Sequence, residues 1–193
     1  MERLDTQFEA MEGTNCYCCP ESAATIRKEI APLPAHAVHF IGTGDYHYIS
    51  LFWLEKLEEP FSLVLYDNHP DDQETAFDAG LLSCGSWVAR ARELSCCRNV
   101  WWNRLPPEDD ALPVYVSIDL DVLSEEFAHT DWDQGGMRLA NLIEAMRTLA
   151  CNRRILGVDI CGGLSINKGA SPEDISLNES TGEALYSVFR SLT

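Results

Sequence analysis

Three apolar runs in this chain each give way to aspartate and histidine, and that repetition constrains the fold more than any other feature. Phe61-Ser62-Leu63-Val64-Leu65-Tyr66 runs into Asp67-Asn68-His69-Pro70-Asp71. Val38-His39-Phe40-Ile41 runs into Gly42-Thr43-Gly44-Asp45-Tyr46-His47, and Val114-Tyr115-Val116-Ser117-Ile118 into Asp119-Leu120-Asp121. Short continuous apolar runs rich in β-branched and aromatic residues read as strands buried on both faces, hence as strands of a parallel sheet. In such a sheet, ligands bind beyond the carboxyl ends of the strands. Three ends of this kind bring up to five carboxylates and two imidazoles to one edge. Unpaired carboxylates crowded together repel, and bound cations are the usual remedy. The expectation is a metal site.

The remaining elements alternate. A helix is expected over 21–30, and Pro32 and Pro34 then break the chain before a strand around 37–41. Leu51, Leu54 and Leu57 recur at helical spacing over 49–57, and Pro60 precedes the strand at 61–66. A polar, irregular stretch over 67–83 leads to a helix at 87–94, a short strand at 98–102, a surface loop around 106–110 and the strand at 114–118. Leu139, Leu142, Ile143 and Met146 share a face of a helix at 137–149, followed by a last strand at 154–160 and a closing helix at 181–189. This order predicts a three-layer α/β/α fold with a mostly parallel sheet. The long loops at 67–83, 122–135 and 161–177 all follow strands and so fall on the ligand edge. A chain of 193 residues suits one α/β domain, with 1–35 as an N-terminal arm and helix.

Charge and cysteine content narrow the partners. A formal charge of −17 argues against nucleic acid and against anionic membrane surfaces. No stretch is apolar enough to span a bilayer, and Met1-Glu2-Arg3-Leu4-Asp5 lacks the apolar segment of a signal peptide, so a reduced cytoplasmic setting without disulfides is expected. Of the eight cysteines, Cys16, Cys18 and Cys19 cluster, but no second Cys-x-x-Cys pair completes a zinc knuckle. Most of them are read as small buried hydrophobes. The segment 15–19 is read as an ordinary arm, the alternative being that it folds over the site with Cys16 or Cys18 near the chemistry. The expected partner is a small-molecule substrate. Nothing fixes the number of subunits, and a homo-oligomer stays open.

Asp-x-His-x-Asp just past a strand projects alternate side chains in one direction, and Asp119-x-Asp121 does the same. A lone aspartate in that place more often caps a helix or a turn. Carboxylates combined with imidazoles suit Mn²⁺, and the same donors accept Zn²⁺ or Fe²⁺. With this many carboxylates, two ions sharing bridging aspartates fit better than one, and such a pair lowers the pKa of water.

Here the residues reach a family. Asp67-Asn68-His69-Pro70-Asp71 resembles the Asp-Ala-His-x-Asp motif of the ureohydrolase (arginase and agmatinase) superfamily. Ser117-Ile118-Asp119-Leu120-Asp121 resembles its Ser-x-Asp-x-Asp motif, and Gly42-Thr43-Gly44-Asp45-Tyr46-His47 its Gly-Gly-Asp-His element. The three stand in the family's order, and the chain reads as a short, divergent member. The resemblance implies an arginase/deacetylase-like fold and a binuclear manganese centre. Asp67 and Asp119 would bridge the ions, with His47 and Asp71 completing one coordination sphere and His69 and Asp121 the other. It implies hydrolysis of a linear C–N bond in a guanidino or amide substrate. A metal-bridging hydroxide would attack, oriented by a catalytic aspartate, Asp121 or Asp71.

The chain departs from the family at three places. Tyr46 is inserted between Asp45 and His47, no histidine follows Ser83-Cys84-Gly85 where a proton shuttle would be sought, and no glutamate stands near Gly162-Gly163 to pair with a guanidinium. Two alternatives therefore stay open: a catalytically inactive metal-binding or interaction domain of the same fold, and a phosphatase of the haloacid dehalogenase type built on Asp119-Leu120-Asp121-Val122. His129 is read as a surface-loop residue, with proton transfer as its alternative; His39 as a core residue; His36 as exposed. Trp101 and Trp102 should face opposite sides of the sheet, and Trp87 and Trp132 lie where pocket walls arise. Glu173, Asp174 and Glu179 either replace the missing glutamate or follow the usual acidity of a helix start.

Overall fold

A computed structural model describes residues 1–74 and 81–192. The elements run β1 (Arg3–Asp5), β2 (Tyr17–Cys18), α1 (Pro20–Ile30), β3 (Val38–Phe40), α2 (Ile49–Leu54), β4 (Phe61–Tyr66), β5 (Leu82–Ser83), α3 (Trp87–Ala91), β6 (Cys97–Trp102), β7 (Val114–Asp119), α4 (Leu139–Asn152), β8 (Ile155–Cys161) and α5 (Pro172–Phe189). Six strands form one sheet in the order β1-β3-β8-β7-β4-β6, every pairing parallel. The short β2 and β5 pair antiparallel with each other.

The period of two in the strands divides the core. Leu63, Leu65 and Tyr115 pack on one face with Ile26 of α1, Trp53 of α2 and Trp87 of α3. Val64, Tyr66, Val116, Ile118 and Val158 pack on the other with Leu142 and Met146 of α4 and Leu185 and Phe189 of α5. Two helical layers therefore sandwich the sheet, as the alternating apolar runs predict. The crossover through α2 moves across the sheet in one direction and the crossover through α4 moves back, so the helices fall on opposite faces. The carboxyl ends of β4, β7 and β8 meet between these two movements, where a parallel sheet opens its crevice.

Several boundaries differ from expectation for local reasons. Helix α5 begins at Pro172 rather than 181: Ser171 and Asp174 form a reciprocal capping box and Pro172 occupies the first turn, so the expected 161–177 loop is cut short. Helices α2 and α3 end at Leu54 and Ala91, short of 57 and 94. The arm at 1–35 carries an edge strand, β1, whose three residues pair with β3 and have no apolar run to announce them. Residues 75–80 of the irregular stretch 67–83 lie outside the described residues. Among the described residues, no helix is long and apolar enough to cross a membrane.

His39 is buried and its Nε2 lies 3.1 Å from the carbonyl oxygen of Ala35. Its ring stacks on Trp53 with centroids 3.6 Å apart at 16°, and burial pushes its pKa down to about 4. His36 is exposed. Trp101 packs against the α4/α5 core, while Trp102 is 44% exposed. Trp53 is fully buried beneath Lys56 and centres the α1–α3 side of the core. Truncation to alanine there removes the indole and leaves a cavity, so Trp53→Ala is expected to destabilise by about 3–5 kcal/mol. Urea unfolding at unchanged m-value measures it, and a loss under about 1 kcal/mol would remove Trp53 from that central role.

Candidate metal centre

The end of β4 is held from the side by the end of β6. The Asp67 amide donates to Asn103 Oδ1 at 3.1 Å, and Asn103 Nδ2 and Trp102 Nε1 donate to the Asp67 carbonyl at 2.7 and 2.8 Å. Beyond Pro70 the chain turns through Asp71 at φ +48°, a left-handed conformation that aspartate tolerates better than most residues. That turn aims the Asp71 carboxylate back at the strand end, where Trp87 Nε1 donates to it at 2.8 Å. On β7, Asp119 caps a 3₁₀ turn over Leu120–Val122, its Oδ1 accepting from the Asp121 amide at 2.9 Å. A second 3₁₀ turn, Gly44–Tyr46, absorbs the inserted Tyr46 and delivers His47 to the same edge.

The six side chains singled out for metal binding converge. His47 Nδ1 lies 3.1 Å from Asp67 Oδ2, 3.1 Å from Asp71 Oδ2 and 3.5 Å from Asp119 Oδ2. His69 Nδ1 lies 2.8 Å from Asp121 Oδ2 and 3.6 Å from Asp67 Oδ1. His47, Asp67 and Asp71 thus form one group with metal-ligand spacing, and Asp67, His69 and Asp121 another. Asp67 serves both, one oxygen to each. Asp45, the fifth carboxylate expected at this edge, turns away to pair with Lys168 and to accept from Trp132 Nε1 at 3.1 Å.

The donor set fits divalent cations. His47 Nδ1 and Asp67 Oδ2 are both buried without a hydrogen-bond partner, a costly state unless something charged lies between them. Beneath His47, Ser117 Oγ donates to Asp159 Oδ1 at 2.6 Å and lies 2.9 Å from His47 Nε2, and Ser50 Oγ donates to the same Asp159 oxygen at 2.9 Å. With its proton committed to Asp159, the Ser117 hydroxyl accepts from Nε2. The lone pair of a neutral His47 is then on Nδ1, facing the carboxylates, as a metal ligand requires.

Protonation answers the crowding when no cation does. Burial, with Asp67 nearby, pushes Asp119 up to about 6. Burial again, with Asp119 and Asp67 beside it, raises Asp121. Burial opposes charge on both Asp67 and His47, yet the neighbouring His47 and His69 imidazoles hold Asp67 below the usual carboxylate range, and Cys161, Asp67 and Asp71 hold His47 well above the usual imidazole range. The neighbouring Asp67 and Asp121 carboxylates raise His69 to about 9.

The cluster floors a cavity of about 380 Å³ whose walls include Cys16, Tyr17, Gln73, Ser83, Trp132 and Asp133. A larger cavity, about 860 Å³, lies at the amino ends of the strands beside Lys56 and Arg154 and contains none of the clustered ligands. The segment 15–19 is not an ordinary arm. Tyr17–Cys18 pairs with Leu82–Ser83, the Cys84 amide donates to the Cys16 carbonyl at 2.9 Å, and Cys16 and Tyr17 close over the site. A pairing two residues long has no periodicity to read. Burial pushes the Cys16 and Cys84 thiols up to about 11 and about 12.

Other expectations resolve differently. Trp132 is a wall of the cavity, but Trp87 lies beneath it, fully buried, its ring centroid 4.8 Å from that of His47. His129 pairs with Asp174 and exchanges backbone bonds with Asn178, tying the 122–135 loop to α5 away from the cavity lining. Asp174 is spent on that pair and on capping α5, Glu173 is exposed, and Glu179 borders a separate cavity. None supplies the missing glutamate. Gly162 shows why its own position is empty of a side chain: it sits at φ +102°, and a Cβ there would fall 2.0 Å from Asp119 Oδ1 and 2.7 Å from the Leu120 amide nitrogen. The Asp119 carboxylate and the Leu120 backbone occupy the space that a side chain would use.

A parallel sheet between two helical layers, with acidic and imidazole side chains clustered at its carboxyl edge, defines the arginase-like α/β/α class. Known proteins agree. The arginase family matches over residues 103–162. An uncharacterized protein of Thermotoga maritima is 33% identical over 79% of this chain and 68% of its own length. The proclavaminate amidino hydrolase of Streptomyces clavuligerus superposes with a TM-score of 0.66 at 19% identity, covering 90% of this chain and 72% of that one. The formiminoglutamase of Trypanosoma cruzi, solved with Mn²⁺, gives 0.61 at 11% identity, covering 87% and 71%. The chain belongs to the ureohydrolase (arginase) superfamily. The haloacid dehalogenase alternative falls with this fold, since Asp119 and Asp121 share their site with Asp67, His69 and Asp71 rather than ending a first strand.

A cation entering this cluster must displace protons from the imidazoles. His69 holds its proton up to about 9. Apparent divalent-metal affinity should therefore rise as pH rises from 6 towards 9, with proton release on binding, and level off above that. Calorimetric titration in buffers of different ionisation enthalpy reads both effects; an affinity independent of pH over this range would contradict the assignment of His69.

Proposed function

We propose that this chain is a hydrolase of linear C–N bonds that works with a pair of divalent ions, manganese by the example of its relatives, on a guanidino, amidine or amide substrate. Membership of the superfamily supports the general reading of a ureohydrolase-like hydrolase. The observation that carries the metal part is the pair of buried, unpartnered atoms, His47 Nδ1 and Asp67 Oδ2, among four carboxylates. Asp67 and Asp119 would be shared between the ions, His47 and Asp71 would hold one, and His69 and Asp121 the other. Bound there, the ions lower the pKa of water, so that a nucleophile exists near neutral pH.

The protein's own groups do the rest. Asp121 is fixed at the cavity wall, one oxygen accepting from the Asn68 amide at 2.9 Å and the other facing His69 at 2.8 Å. Asp71 is fixed by Trp87 on the opposite side. These two are the groups placed to orient an attacking water and to take its proton. Trp132 overhangs the His69 ring, with centroids 6.2 Å apart, and with Cys16 and Tyr17 limits access of bulk water. The remaining walls offer a phenol, an amide, a hydroxyl and the Asp133 carboxylate, from Tyr17, Gln73, Ser83 and Asp133. With no side chain at Gly162, recognition of the substrate rests on these mostly neutral groups rather than on a deep carboxylate.

Manganese-loaded protein is expected to release urea, ammonia or amine from a panel of small guanidino, amidine and amide compounds. Asp119→Asn should lower that rate by about 100-fold or more. Metal-dependent melting with no turnover across the panel would favour the second reading, an inactive metal-binding domain, to which the loss of the glutamate points. By elemental analysis, Asp67→Ala should lose both ions; retention of one full equivalent would overturn its bridging role.

A further inference from the structure

One side chain at the edge of the cluster has no role in the reading above. Cys161 ends β8 directly beside Asp119, its partner in the β7–β8 register. Its thiol is buried, with Cys161 only 2% exposed, and donates to Asp119 Oδ2 at 3.3 Å. Ligand atoms of His47, Asp119 and Cys161 all lie within 4.8 Å of one another, a third group with metal-ligand spacing. It shares His47 with the first group, and the orphaned His47 Nδ1 lies 3.5 Å from Asp119 Oδ2, the oxygen that the thiol faces.

Spacing separates a ligand from a bystander. Donors bound to one ion at about 2.0–2.3 Å stand roughly 3–3.5 Å apart. Around His47 Nδ1 the oxygens of Asp67, Asp71 and Asp119 lie at 3.1, 3.1 and 3.5 Å, and Cys161 Sγ lies at 3.3 Å from the last of these. The sulfur thus stands at shared-ligand spacing from an Asp119 oxygen and within 4.8 Å of a His47 ring nitrogen. Gly162 makes this approach achievable, because any side chain after Cys161 would strike the Asp119 carboxylate.

We propose that Cys161 is a sulfur ligand to the ion held by His47, which gives that position a preference for zinc-class cations (Zn²⁺, Co²⁺, Cd²⁺) over Mn²⁺. Thiolate donors select for softer ions, whereas carboxylate and imidazole alone discriminate little. The proposal rests on the metal-centre reading and changes it for one of the two positions. On binding, the S–H bond breaks, a sulfur–metal bond forms and the proton leaves to solvent. No oxidant is involved.

Cobalt is the direct probe. Chelator-stripped full-length protein, kept reduced, is titrated with Co²⁺ and followed in the near ultraviolet. A thiolate-to-cobalt charge-transfer band should appear in step with binding. It should vanish in Cys161→Ser and Cys161→Ala, while cobalt remains bound and far-ultraviolet circular dichroism is unchanged. In competition, Cys161→Ser should weaken Zn²⁺ by about tenfold or more and leave Mn²⁺ within about twofold. Cobalt bound to the unaltered protein without the band, or a band that survives in both variants, overturns the proposal while leaving the metal centre standing. Failure to bind any cobalt, zinc or manganese overturns both.

Discussion

Four carboxylates share one buried space at the end of this sheet, and the geometry around them is an answer to their mutual repulsion. Each aspartate is pinned by a neutral donor from elsewhere: the Asp121 amide on Asp119, the Asn68 amide on Asp121, the Trp87 indole on Asp71 and the His69 amide on Asp67. Such donors lower the cost of a negative charge and hold its direction, but they do not neutralise it. The two imidazoles reach the cluster from opposite sides and can carry protons. Divalent cations would bring more positive charge to the same place than these imidazoles do.

The support for this cluster runs deeper than its ligands. Asp159 is fully buried beneath His47, raised to about 6 by burial, and receives both Ser117 and Ser50. Those two hydroxyls come from β7 and α2, so one carboxylate on β8 sets the face that His47 presents. The same logic applies at the rim, where Asp45 is used by Lys168 and Trp132 to hold down the 122–135 loop. Aspartates in this protein thus divide into those gathered at the strand ends and those paired with neighbours elsewhere.

That division explains how much could be read in advance. The three layers and the convergence of six side chains were legible because each signal is local: an apolar run, then alternation at its carboxyl end. Asp45 looked equivalent to the others in sequence, and only the distant Lys168 distinguishes it. Trp87, Asn103 and Cys161 act on the cluster across the fold and leave no pattern in the chain. Strand β1 and the β2–β5 pair are two or three residues long and stabilised by partners far away in sequence, below what periodicity can detect. The start of α5 was available in principle, since Ser171-Pro172-Glu173-Asp174 is a capping signature, but apolar spacing pointed further along.

Gly162 bears on what the cleft can present. With the chain there in a left-handed turn and the Asp119 carboxylate against its α-carbon, no side chain fits at this position. The strand end and the carboxylate would both have to retreat first. Whatever enters the cleft is left to be held by its other walls.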